Sequence, residues 1–305
     1  MEATLRAAAH GDSEAQFKLA RAYDRGEGVP KDAAKAVEWY RKAAEQGFAA
    51  AQFNLGVAYD NGEGLAKDAA KAAEWYRKAA DQGNAFAQSF LGGAYAIGLG
   101  VPKDAAKAAE WYRKAADQGN ADAQTNLGSA YFKGEGVPKD AAQAVEWYRK
   151  AAEQGNADAQ YLLGRAYSKG EGVPKDAAQA VGWYRKAAEQ GFAAAQFVLG
   201  VVYAWGEGVP KDAVRAVGWY RKAADQGDAD AKYFLAHAYS RGEGLPKDAV
   251  LAYAWANLAA AQGHESAASL RDDGKLLPLT PDERAEAQRL SSSWKRGQAL
   301  VRERP

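Results

Sequence analysis

Cysteine is missing from the 305 residues altogether, and histidine is scarce, at three. Without cysteine there is no disulfide framework and no thiolate zinc site, although the compartment is left open. Charge of either sign is also not in excess. Forty basic residues face 39 acidic ones, for a net charge of +1. Such a chain has no field to gather nucleic acid or an anionic membrane surface. No apolar run reaches the roughly 18 residues a membrane span needs, so no membrane insertion is expected. A charged segment followed by an apolar one is likewise missing at the N-terminus. The chain as written reads as cytoplasmic, or as periplasmic or secreted if a signal sequence has been removed. Nothing in the composition indicates an oligomeric state.

What the chain does have is repetition. The block DAAQAVEWYRKAAEQG at 140–155 recurs with few changes from Asp32, Asp68, Asp104, Asp176 and Asp212. A worn copy starts at Asp248, and all seven starts are 36 residues apart. A period in the twenty-to-fifty range marks a stack of small units, each burying its apolar face against the next. Length alone suggests about two domains. The repeat predicts instead one continuous core with no internal boundary.

Seven units are read at 13–48, 49–84, 85–120, 121–156, 157–192, 193–228 and 229–264. Each holds two helices. In the fourth, Ala123, Leu127, Gly128 and Tyr131 share one face of the first helix. Asn120, Asn156 and Asp228 are N-caps for such helices, whereas Phe48 and Phe192 break that pattern. Gly134 and Gly136 end the helix, and Pro138 and Asp140 start the next. There Ala144, Trp147, Tyr148 and Ala151 face inward and Arg149 and Lys150 face water. Gly56, Gly92, Gly128, Gly164 and Gly200 recur in mid-helix, each at a cost of about 1 kcal/mol relative to Ala. Their recurrence implies a neighbouring backbone too close for a Cβ. Ala20 and Ala236 replace them in the end units, where neighbours are fewer. Residues 1–12 form an N-terminal capping half-repeat and 265–305 a C-terminal cap, with helices at 265–272 and from Thr280 to about Trp294. Lys295–Pro305 reads as a frayed basic tail.

With AQxxLGxAYxxGxGVPKDxxxAxxWYRKAAxQG in hand, the chain resembles the Sel-one-like repeat family, a relative of the tetratricopeptide repeat. The resemblance covers 13–264, and the ending resembles that of many bacterial members. It implies an all-α, right-handed solenoid that acts as an adaptor or scaffold. Some members resemble immunity or inhibitor proteins that wrap an effector. One cysteine-rich branch is linked to penicillin binding and β-lactam hydrolysis, and the lack of cysteine here weakens that carry-over.

In a near-perfect repeat, the positions that refuse to repeat carry the information. These lie on the first helix of each unit, a helix that lines the concave groove in the tetratricopeptide relatives. The fourth unit presents Phe132 and Lys133, the fifth Arg165 and Lys169, and the seventh His237 and Arg241. The third has Phe86, Phe90, Ile97 and Leu99 where its siblings are mainly polar, and the sixth has Val198, Val201 and Trp205. Exposed apolar clusters usually mark a partner surface. The alternative is that these side chains fold back as local core. The tryptophan of the WYRK block repeats with the period and is read as core between units, and the Arg-Lys pair after it as solvated.

Catalytic patterns are weak. His10 and His264 are assigned to the QG helix ends, where a cation is mildly favoured. His264-Glu265 starts like a zinc-protease motif, but Ala268 stands where a second His is needed. Ser292-Ser293-Trp294-Lys295 matches S-x-x-K without its companion motifs. Gly26-x-Gly28 lacks the third glycine and the preceding strand of a dinucleotide loop. No catalytic, metal or cofactor-binding residue is assigned. The expectation is a non-enzymatic scaffold or adaptor with a protein or peptide partner. The rivals are a penicillin-recognising envelope enzyme or glycan binder, and an immunity or inhibitor protein.

Overall fold

The computed structural model describes residues 1–302, all α-helix and connection, with no strand among them. It comprises two compact units, Met1–Gln154 and Gly155–Pro305. The first holds α1 (Glu2–Ala9) and four helix pairs: α2 (Ser13–Arg25) with α3 (Ala33–Glu45), α4 (Ala49–Asn61) with α5 (Ala69–Asp81), α6 (Ala85–Ile97) with α7 (Ala105–Asp117), and α8 (Ala121–Lys133) with α9 (Ala141–Glu153). The second holds α10 (Ala157–Lys169) with α11 (Ala177–Glu189), α12 (Ala193–Trp205) with α13 (Ala213–Asp225), and α14 (Ala229–Arg241) with α15 (Ala249–Ala260). Two closing helices follow, α16 (Glu265–Asp272) and α17 (Pro281–Ser293). Within each unit the pairs stack in chain order, as an α-solenoid does. No helix among the described residues is long and apolar enough to cross a membrane.

The punctuation of the sequence sets the helix ends. Asp32, Asp68, Asp104, Asp140, Asp176, Asp212 and Asp248 each accept a backbone N–H three residues on and cap the second helices. Asn120, Asn156 and Asp228 cap first helices in the same way, and Gly134 ends α8 at φ 77°, in the left-handed region where a Cβ is costly. Phe48 and Phe192 make no side-chain cap bond. Each instead packs its ring on an aromatic residue of the same repeat, Phe17 at 5.1 Å and Tyr161 at 5.3 Å between centroids. Ring contact of this kind contributes about 0.5–1.5 kcal/mol, comparable to the cap it replaces.

The core is leucine, alanine and tyrosine. Leu19, Leu55, Leu91 and Leu127 in the first unit, and Leu163, Leu199 and Leu235 in the second, are fully buried. Tyr76, Tyr148 and Tyr220 of the second helices are almost as deep. The tryptophans are not the deep core that their periodicity suggested. From Trp39 to Trp219 they are half-buried, and only Trp255 is enclosed. The lysine three residues on covers the open ring face at 3.9–4.1 Å, as Lys78 does over Trp75 and Lys222 over Trp219. An i, i+3 spacing places the ammonium over the indole, and its methylenes shield what the repeat contact leaves open. Nor is the arginine of the pair simply solvated. Arg185 donates to the Tyr203 hydroxyl at 3.0 Å and Arg221 to Tyr239 at 3.1 Å, each in the following repeat.

A buried glutamine supplies the stitch that periodicity did not reveal. Gln52 Nε2 donates to the Ala44 carbonyl of the preceding repeat at 3.1 Å, and its Oε1 accepts from Gln82 at 2.7 Å. Gln88 and Gln124 do the same in the first unit and Gln196 in the second. Both ends of a buried amide are thereby satisfied, which a solvent-free interface requires.

The mid-helix glycines answer to a ring. A Cβ on Gly92 would sit 2.7 Å from the Tyr112 ring, with the Ala108 carbonyl next at 3.2 Å. A tyrosine 20 residues on, rather than a passing backbone, is therefore what a side chain there would meet first, although repeat one accommodates Ala20 with Tyr40 at the same spacing. In repeat seven Ala236 stands there with Ala256 in place of the tyrosine. The shortage of neighbours expected at an end unit is not the cause, since Ala236 is fully buried.

At the C-terminus, Thr280 and Glu283 form a capping box with Pro281 in the first turn of α17. Trp294 packs edge-on against Trp255 at 5.7 Å. Its cover explains why that tryptophan alone is enclosed. The described part of the tail is tied down rather than frayed. Arg302 pairs with both carboxylate oxygens of Glu286 at 2.9 and 3.0 Å, and Leu300 is buried. The last three positions assigned to that tail, 303–305, lie outside the described residues. His264 lies past the QG end, not within it. Its Nδ1 accepts from Ala267 N at 3.1 Å and caps α16.

Candidate functional site

Within each compact unit a second helix packs against its own first helix and the first helix of the next repeat, and a groove opens where the three converge. Its floor is small side chains that recur with the period. Its walls are the positions that vary. In the first unit the groove between repeats one and two is about 50 Å³, lined by Asp24, Asn54, Val57 and Glu63 over Tyr40. One repeat on it widens to about 260 Å³, and Phe90, Gly93, Ile97 and Leu99 take those places over Tyr76. Asp60 remains as the acidic wall.

Three of the four apolar residues singled out in repeat three therefore line one cavity. Phe86 flanks it through Phe53, to which its ring lies 6.0 Å away. All four are exposed, Phe86 at 60% and Ile97 at 72%, so they do not fold back as local core.

In the second unit the same register, four repeats on, opens to about 480 Å³ between repeats six and seven. Ala213, Ala216 and Val217 make the floor, with Tyr220 beside them. Trp205, Tyr233 and Phe234 supply aromatic wall, and Lys211, His237, Arg241 and Glu243 the polar edge. Trp205 is 70% exposed. His237 Nε2 lies 2.9 Å from the Tyr233 hydroxyl. Burial, aided by the Arg241 guanidinium, holds that imidazole below the ordinary histidine range. Arg241 makes only a loose pair with Glu243, at 3.8 Å.

Trp205, His237 and Arg241, from two different repeats, are thus brought together. Val198 and Val201 are not part of this opening. They are half-buried and pack on the neighbouring apolar clusters, so for these two the local-core alternative holds. Phe132 is half-buried as well, Lys133 is exposed beside Glu135, and Lys169 is exposed. Arg165 is half-buried with its guanidinium 6.0 Å from the Tyr161 ring centre. Sequence reading passed over Phe234 and Tyr233. Phe234 occupies in repeat seven the place of Phe90 in repeat three, so aligning the varying columns instead of reading each unit alone would have found it.

The floor tyrosine differs between registers. Tyr148 has Ser129 at 3.2 Å. Burial pushes the Tyr184 phenol up to about 12, with a hydrogen bond to Ser168 partly opposing it. Burial also raises Tyr220, with the Glu243 carboxylate adding to it. The Tyr220 hydroxyl is buried and has no hydrogen-bond partner. Val201 and Ala204 stand where repeats four and five have Ser129 and Ser168, and the Tyr76 hydroxyl in the first unit is unpaired as well. Among the described residues no cluster of three or more His, Asp or Glu could hold a metal ion.

The Sel1 repeat model matches all seven units, at 13–48, 49–84, 85–120, 121–156, 157–192, 193–228 and 229–264. The chain belongs to the Sel1 repeat family. A Sel1 repeat protein from Oxalobacter formigenes is 38% identical, with a TM-score of 0.73 over 87% of this chain and 77% of that one. A protective antigen of uropathogenic Escherichia coli displaying an SLR fold is 35% identical over 94% of this chain and 77% of its own, with a TM-score of 0.48. An immunity protein from Pseudomonas aeruginosa is 26% identical over 76% and 82%, with a TM-score of 0.43. None of the curated proteins matches. Sel1 repeats generally serve as non-catalytic protein-interaction scaffolds.

Proposed function

We propose that this Sel1 repeat protein is a non-enzymatic scaffold that binds a protein or peptide along the varying face of its first helices. One observation carries the reading. The residues that depart from the repeat toward apolar character, Phe90, Ile97, Leu99 and Trp205, line the same inter-repeat groove in two registers. Ile97 and Trp205 are held about 70% exposed, at 72% and 70%, on a helix whose siblings carry Asn, Lys or Arg there. Large exposed apolar side chains gathered at grooves are what an interface core needs before its partner arrives. Preformed helices keep the ordering cost of association low. Lys133, Arg165 and Lys169 are proposed as a polar rim that sets partner choice rather than affinity.

The test is affinity capture from the source organism with the wild type and the Phe90→Asp/Trp205→Ala double variant. A partner retained by the wild type, lost by the variant and reproduced with purified components supports the reading, provided that circular dichroism is unchanged. Equal binding of that purified partner by both proteins would remove the grooves as the site.

A further inference from the structure

The groove between repeats two and three holds a single charge among apolar neighbours, and that charge limits what can fill it. We propose that it takes a cationic side chain, an arginine or a lysine, from an otherwise apolar segment of the partner. The cation meets Asp60 and the aliphatic stem lies along Ile97 and Leu99. This rests on the scaffold reading and names what one of its sites recognises.

The first argument is the carboxylate. Among the described residues lining the cavity Asp60 is the only charged one, and it is half-buried. No described lysine or arginine pairs with it, whereas Asp68, eight residues on, pairs with Lys71 at 3.2 Å. Burial raises the Tyr76 phenol and the Asp60 carboxylate adds to this, so the carboxylate is close to the buried ring of the groove. Any segment that fills the space takes water away from Asp60. An apolar occupant would leave the carboxylate with neither water nor a partner, which is unfavourable. A cation supplies the missing partner through a charge-assisted hydrogen bond.

The second argument is what repeat three has given up. Its neighbours close the first helix with a polar pair, Arg25 with Glu27 at 3.7 Å, Asn61 with Glu63 at 3.4 Å and Lys133 with Glu135 at 3.8 Å. Repeat three has Ile97 and Leu99 at those two places. The change removes any internal cation from the mouth and leaves apolar surface on the way to Asp60. Lysine and arginine carry their charge on an aliphatic stem that suits such surface. The groove between repeats one and two is acidic as well, through Asp24 and Glu63, but it measures about 50 Å³ against 260 Å³. The groove between repeats six and seven already has Lys211 and Arg241 beside its one acid, Glu243. Only the register of repeats two and three combines room, an unpaired carboxylate and an apolar approach.

The third argument is the ring beside the acid. Phe90 lies edge-on to Phe53 at 5.4 Å and tilted on Tyr76 at 5.3 Å between centroids, contacts that fix its plane. It is nevertheless 45% exposed, so part of its ring is open to a cation approaching Asp60.

Isothermal titration calorimetry on the intact protein tests this with acetylated, amidated pentapeptides. The set is Gly-Leu-Arg-Leu-Gly and its counterparts with citrulline or norleucine in the central place. Citrulline keeps the shape and hydrogen-bond donors of arginine without the charge, and norleucine keeps only the stem. The arginine peptide is expected to bind about fivefold more tightly than either, the upper range for an ion pair that is still partly solvated. The net charge of the protein is +1, so its overall field does not supply that preference. Asp60→Asn should erase it. Folding is retained in that variant, because repeats three and four carry the neutral Ala96 and Phe132 in the same column. Citrulline or norleucine peptides as tight as the arginine one, or a preference that survives Asp60→Asn, would overturn the proposal. Binding of argininamide as tight as that of the peptide would overturn it too, by making a small cation the occupant. If no peptide binds while a purified partner is still lost on Phe90→Asp/Trp205→Ala, this inference falls and the scaffold reading stands.

Discussion

Lys232 Nζ donates to Gln262 Oε1 at 2.8 Å, in the place where preceding repeats join two glutamines. The lysine is 2% exposed and lies 5.0 Å from the Trp294 ring centre. Repeat seven has thus kept the stitch while exchanging an amide for a cation, and the closing helix supplies the ring that accepts it. Burial, and then the nearby Arg296, hold this ammonium below its ordinary 10.5.

A pH dependence follows from that shift. A lysine depressed in the fold binds fewer protons folded than unfolded between its lowered value and 10.5, so stability rises with pH across that window. Lys232→Gln should remove the alkaline rise and, at neutral pH, stabilise the second unit by about 1–2 kcal/mol, because a buried charge is exchanged for a satisfied amide. Urea denaturation at several alkaline pH values checks both. An alkaline slope unchanged in Lys232→Gln would mean that another group titrates.

The pairing of Gly92 with Tyr112 makes a second prediction. A Cβ at Gly92 would lie 2.7 Å from the ring. Gly92→Ala should therefore destabilise by about 1–2 kcal/mol, because the Tyr112 ring sits where a Cβ would go and would have to move to the arrangement that repeat one reaches with Ala20 and Tyr40. In a Tyr112→Ala background the same change should be neutral or stabilising, as the natural Ala236 and Ala256 pair suggests. A double-mutant cycle in denaturant reads the coupling directly.

Much of the fold could be read from the sequence because its determinants are local. Asp140 announces a helix start and Gly134 a helix end with no knowledge of what packs nearby, and period alone sets Leu91 and Leu127 in the core. Depth was harder to judge. Trp147 and Tyr148 are adjacent in every intact block, yet which goes deeper depends on Gly128 making room for the tyrosine and on Lys150 reaching back over the indole. The site was half legible for a similar reason. Ile97 and Trp205 stand out within their own units, but the groove at Trp205 is completed by Phe234 and Tyr220, one apolar in a column already flagged elsewhere and one indistinguishable from its siblings. What surrounds Tyr220, Trp205 and Phe234 among it, is a property of three dimensions.

The closing helix is a structural cap, and its removal should show this. Trp294 covers Trp255 at 5.7 Å and Lys232 at 5.0 Å, contacts that no later repeat supplies. Trp294→Ala should destabilise the second unit by about 2–4 kcal/mol, somewhat below a fully buried Trp truncation because the ring is half-buried. Tryptophan emission should shift to the red as Trp255 meets water. An unchanged spectrum would show that other contacts keep Trp255 enclosed.

The last prediction separates residues kept for the fold from those kept for a partner. Ile97 and Trp205 are 72% and 70% exposed, whereas Leu91, six residues before Ile97 on the same helix, is fully buried. Burying a leucine removes its whole side chain from water, and truncating it also leaves a cavity, so Leu91→Ala should lower stability by about 2–5 kcal/mol. Ile97→Ser and Trp205→Ser remove mostly solvated surface and should change stability by no more than about 0.5 kcal/mol. Thermal and urea denaturation of the three variants measure this. If both serine variants stay near wild type and also lose a verified partner, stability cannot account for the two side chains, and recognition does. If either falls with Leu91→Ala, its apolar character belongs to the packing of its repeat, and the groove it lines loses an anchor.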